Sequence, residues 1–157
     1  MRNAENDMSA ETDLIKLYSG RILELAADIP HTVRLPNPQA SVKRRSPLCG
    51  SAVTVDLTVT DGKISSFGQD VKACALGQAS ASVVGAAAIG RTETEILHAR
   101  DSLKALLKGS GIVPDAPFDG FEVFLPAAAY KNRHASILLS IEATYEAMVE
   151  ARQSSCA

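Results

Sequence analysis

A chain of 157 residues, 46% of them hydrophobic, can bury one core and is too short for two, so a single domain over residues 1–157 is expected. Sixteen basic side chains against eighteen acidic ones leave a net charge of −2, which offers neither a nucleic-acid footprint nor a patch for an anionic membrane. No apolar stretch is long enough to span a bilayer, no signal-peptide pattern opens the chain, and three cysteines are an odd number, so a cytoplasmic setting with structural, reactive or metal-ligating thiols is expected rather than a disulfide framework.

Residues 1–11 are polar and read as a flexible tail. From Thr12 a helical period places Leu14, Leu17, Tyr18, Ile22 and Leu25 on one side, and Ile29-Pro30 should end it. The stretch "PHTVRLPNPQASVKRRSP", with four prolines, reads as an irregular loop or at most an edge segment. Its basic triplet, Lys43-Arg44-Arg45, reads as a solvated loop or a docking point for an acidic partner.

After Cys49 the period changes to two: Val53, Val55, Leu57 and Val59 alternate with Thr54, Asp56, Thr58 and Thr60. This predicts a half-buried strand, and Asp61-Gly62 predicts a tight hairpin turn into a return strand carrying Ile64 and Phe67, one face apolar and the other wet. Cys74 ends the return segment. The run "LGQASASVVGAAAIG" then suggests a helix packed very close to a neighbour, with Cys74 at or just before its N-terminus. Thr92-x-x-Glu95 is a capping-box pattern opening a helix with Ile96, Ala99, Leu103, Leu106 and Leu107 inward and Gly109 just past its end. "SGIVPDAPFDG" reads as a loop. The last helix starts after Leu125-Pro126 or in the following turn or two, with a stripe of Ile137, Leu138, Ile141, Tyr145 and Met148, and residues 152–157 read as a second flexible tail. The fold class is therefore α+β: a small antiparallel sheet around a hairpin, packed against several helices.

A hairpin returns to its own starting end, so Cys49 at its entry and Cys74 at its exit can meet there. His134 lies on the inward face of the last helix, one turn before Ile137 and Leu138, and could join them. Two thiolates and an imidazole suit zinc or iron. Taken singly, each of these residues is more often an inert part of a core, and it is the joint placement that points to a site. His98 reads as a helix-surface residue and His31 as a loop residue.

"SPLCGS" before a hairpin, then "CALGQASAS", then "RHASILLSIEA", resembles the U-type iron–sulfur cluster assembly scaffold family: IscU, SufU and the N-terminal domain of NifU. The opening "LYSGRILELAADIP" is similar to the family's first helix, and "CALGQASAS" is closest to the SufU branch. Two family positions differ: the aspartate after the first cysteine is Ser51, and the third cysteine is Ala135. The glycine before the second cysteine is Ala73, and the chaperone-recognition motif of IscU is reduced to "LPAAAYK". Carried over residue by residue, the metal and cluster ligands that remain are Cys49, Cys74 and His134.

The resemblance implies a scaffold or carrier rather than an enzyme. It would hold iron or an Fe–S cluster, or zinc, with a cysteine desulfurase as sulfur donor and apo iron–sulfur proteins as acceptors. Three ligands leave a fourth position for water, a small thiol, a partner's cysteine, another chain or Cys156. Two further readings belong to the same resemblance: a zinc-dependent sulfur acceptor for the desulfurase, and a metal-free family member serving as an interaction module. A thiol hydrolase using a cysteine with His134 lacks an orienting acid in any recognisable motif.

Overall fold

A computed structural model describes residues 18–47 and 50–155. The first helix among the described residues, α1 (Gly20–Ala27), begins where Ser19 Oγ accepts a hydrogen bond from the Ile22 N–H at 3.4 Å, and it stops at Asp28, ahead of Ile29-Pro30. Ile22 is fully buried, with Tyr18 and Leu25 against the same core; residues 12–17 of the expected helix lie outside the described residues.

Three antiparallel strands, β1 (Ala40–Arg45), β2 (Ala52–Thr60) and β3 (Lys63–Lys72), form one sheet in the order β1-β2-β3. The proline-rich stretch thus divides. Its prolines fall outside Ala40–Arg45, and that proline-free segment pairs along β2 from Ala40 opposite Leu57 to Arg45 opposite Ala52. The basic triplet is consequently on a strand rather than a loop, and Arg44 turns inward to bind Glu142 and Glu146, each at 3.0 Å.

The hairpin forms as read. Thr60 pairs with Lys63 across a two-residue loop in which Asp61 and Gly62 both take positive φ, 53° and 76°, the geometry that matches strand twist. The wet face forms only toward the turn, where Thr60 and Ser65 are exposed; further along, Thr54 and Asp56 on β2 are buried, Asp56 completely. The irregular segment after α1 folds over this face. Leu35 N–H and the Arg34 guanidinium bind the Asp56 carboxylate, and the Gln69 N–H donates to His31 O at 2.8 Å. A buried carboxylate must be satisfied internally, and Asp56 is satisfied by those bonds.

Helix α2 (Ala75–Ala87) is buried along almost its whole length, as its small residues require. Gly77 and Gly85 mark where neighbours come too close for any side chain: a Cβ on Gly77 would lie 2.7 Å from Ser136 Oγ, and one on Gly85 2.7 Å from Gln69 Nε2. Helix α3 (Glu93–Leu107) opens with the complete Thr92/Glu95 capping box, buries Ile96, Ala99, Leu103, Leu106 and Leu107, and is followed by Gly109 at φ 100°.

A loop then leads into a 3₁₀ run, Asp119–Ala129, that buries Phe121, Phe124 and Ala127, and a shorter one, Lys131–Arg133. Helix α4 (His134–Ser155) is the spine: it lies on β1 and β2 and packs against α2 and α3. Its buried surface is wider than the expected stripe. Ile137, Ile141 and Met148 are buried as read, Leu138 and Tyr145 are half-buried, and Leu139, Ala143, Ala147 and Ala151 join the core. The helix runs to Ser155, so residues 152–155 are helical, and Arg152 reaches Glu93 at 2.9 Å.

Candidate functional site

The sheet register builds the site. Ala52 at the start of β2 pairs with Lys72 at the end of β3, so the entry of one strand and the exit of the other share an end. Ser51 precedes that pair, and Cys74 follows it as the N-cap residue of α2. The first turn of α4, carrying His134, Ala135 and Ser136, closes on the same end.

Ser136 joins the parts. Its hydroxyl lies 3.4 Å from Cys74 Sγ and 3.3 Å from Ser51 Oγ, with Ser136 2% and Ser51 3% exposed. Close approach of α2 to α4 at Gly77 makes this possible, and Ser80 Oγ donates to Ile137 O at 2.5 Å one turn further along. Cys74 is half-buried, and its side chain makes no capping bond to α2, so the sulfur is not spent on the helix end.

His134 is the first residue of α4 and half-buried. Its Nε2 lies 2.8 Å from Ala127 O at the end of the 3₁₀ run. A carbonyl only accepts, so Nε2 carries the proton, and in the neutral ring Nδ1 keeps the lone pair a metal requires. A thiol and an imidazole are donor types that a thiophilic metal or cluster takes.

Of the expected ligands, Cys49 lies outside the described residues, as does Cys156. The structure links Cys74 to the first turn of α4 through Ser136 rather than through His134 directly. Among the described residues no group of three or more His, Cys, Asp or Glu side chains could hold a metal ion. Gly50, at φ 69°, adopts a left-handed conformation beside Ser51. His98 lies on the surface of α3, 3.2 Å from Asp115, and His31 is an exposed loop residue edge-on to Phe67.

Ser136 is the residue that sequence reasoning missed. A serine on a helix gives no signal by type or period, and Gly77, the glycine that makes room for it, belongs to a different helix 59 positions away in the chain. Among the described residues no helix is long and apolar enough to cross a membrane.

No protein-family model matches the chain, and no curated protein does. Solved structures do. A candidate iron–sulfur cluster assembly scaffold protein for the SUF system, from the thermophile Fervidobacterium islandicum AW-1, superposes with a TM-score of 0.73 at 22% identity, over 85% of this chain and 98% of that one; at this identity the likeness shows the fold. The N-terminal part of a nitrogen-fixing NifU-like protein from Brucella abortus superposes with a TM-score of 0.87 at 40% identity, covering 90% of this chain and 98% of that one. Likeness of that extent in both sequence and fold places the chain in the NifU-like family of U-type scaffold proteins, which are carriers rather than catalysts.

Proposed function

We propose that the protein holds iron or an iron–sulfur cluster as cargo through Cys49, Cys74 and His134, takes sulfur from a cysteine desulfurase, and passes sulfur or cluster to apo acceptor proteins. Membership of the U-type scaffold family carries this reading. The local chemistry supports it: Cys74 sits at the shared end of the hairpin and makes no capping bond to its own helix, and the first turn of α4 carries an imidazole whose Nε2 is held by Ala127 O.

Ala135 supplies no donor where the family has its third cysteine, and Ser51 is a poor ligand at neutral pH. Three donors hold cargo less tightly than four, which suits a carrier that must release what it holds. The same two positions favour a second reading, a metal-free interaction module on the family fold. Iron, zinc and acid-labile sulfide measured in protein purified anaerobically separate the readings. Iron together with sulfide supports the cluster carrier, zinc alone a zinc-positioned sulfur acceptor, and neither the metal-free module.

A further inference from the structure

We propose that Ser136 is a positioning residue for Cys74. Its hydroxyl donates to the sulfur when the sulfur holds metal, and Ser51 is the next hydroxyl in line. The proposal rests on the reading that Cys74 holds cargo.

The three atoms lie in sequence: Cys74 Sγ, then Ser136 Oγ at 3.4 Å, then Ser51 Oγ at 3.3 Å. Both hydroxyls are all but inaccessible, so water does not substitute for either contact. A hydroxyl has one proton to donate and lone pairs that accept. A metal-bound sulfur only accepts, so Ser136 is the donor in its contact with Cys74 and meets Ser51 as the neighbouring hydroxyl.

Hydrogen bonds to a metal-bound sulfur tune the metal, and loss of such an outer partner typically weakens metal holding by about 10- to 100-fold.

Cobalt(II) added to the metal-free protein is the probe, because its sulfur-to-metal charge-transfer band reports on the bound sulfur itself. Ser136→Ala should move that band to longer wavelength and weaken cobalt binding about 10-fold, and Ser136→Thr, which restores the hydroxyl, should return both toward the parent. Ser51→Ala, which leaves the Ser136 hydroxyl in place with the sulfur as its acceptor, should keep a band close to the parental one. Cobalt bound with an unchanged band and affinity in Ser136→Ala overturns the proposal, as does the same band shift in Ser51→Ala. If the parent binds no cobalt, the cargo reading fails on its own account. The hydrogen bond is then judged on the metal-free proteins by iodoacetamide alkylation of Cys74, located by peptide mass: a several-fold rate change in Ser136→Ala that Ser136→Thr reverses supports it, and equal rates overturn it.

Discussion

Asp56 has no exposed surface on its side chain, yet it accepts four hydrogen bonds: from Arg34 Nε at 2.6 Å, Arg34 Nη2 at 3.1 Å, Ser41 Oγ at 2.7 Å and the Leu35 N–H at 3.1 Å. Burial by itself would push its carboxyl up. The bonds from Arg34, Ser41 and Leu35, with the Arg34 charge, together outweigh burial and hold it below its ordinary range. A carboxylate depressed in the folded state stabilises the fold fully above the ordinary Asp range near about pH 4, and that contribution is lost as pH falls through the lower folded value. Asp56→Asn should therefore be less stable at neutral pH by about 1–3 kcal/mol, and its melting temperature should drop less than the parent's on acidification below about pH 4. Thermal melts of both proteins across this range check the sign. Nothing in the alternating sequence marks Asp56 as buried. An Asp on a strand next to Thr reads as a wet face, and only the return of Arg34 and Leu35 over the sheet reverses that.

Among the elements, those fixed by local chemistry were legible. Asp61-Gly62 supplies the two positive-φ residues of a tight hairpin, and Thr92 with Glu95 supplies both halves of a capping box; each signal lies within a few residues of the structure it makes. The 3₁₀ run was not legible. Its period is close to three rather than 3.6, Pro126 lies inside it, and its buried phenylalanines mimic any apolar loop. The candidate site divides in the same way. Cys74 at the start of a small-residue helix could be read from the chain, whereas its contact with Ser136 depends on how closely α2 and α4 pack, which no single segment encodes. Gly77 governs that approach, since a Cβ there would come within 2.7 Å of both Ala73 Cβ and Ser136 Oγ. Gly77→Ala should cost about 1–3 kcal/mol of stability, because a buried overlap forces the helices apart despite the better helix propensity of alanine. Chemical denaturation measures the loss, and equal midpoints in the two proteins would show that the helices can yield at this point.

At the scale of the molecule, α4 connects the parts: its first turn meets the end of the hairpin, its middle covers the sheet, and its last turn is tied to α3 by Arg152 and Glu93. A rigid helix that begins at the site sets the position of any donor placed in its first turn. Ala135 is half-buried there, between His134 and Ser136, and cysteine is only slightly larger. Ala135→Cys should thus leave the metal-free melting temperature nearly unchanged and increase the rise produced by added zinc, because a fourth ligand couples more binding free energy to the folded state. A zinc-dependent rise no larger than the parent's would show that position 135 does not face the donors.

The proposed hold of Cys49, Cys74 and His134 on the cargo is tested by counting iron and acid-labile sulfide per chain after anaerobic reconstitution of the parent and of Cys49→Ser, Cys74→Ser and His134→Ala. The parent should bind iron and sulfide together, and each variant should lose most of both. A parent that retains neither, or a Cys74→Ser protein that retains as much as the parent, would contradict it.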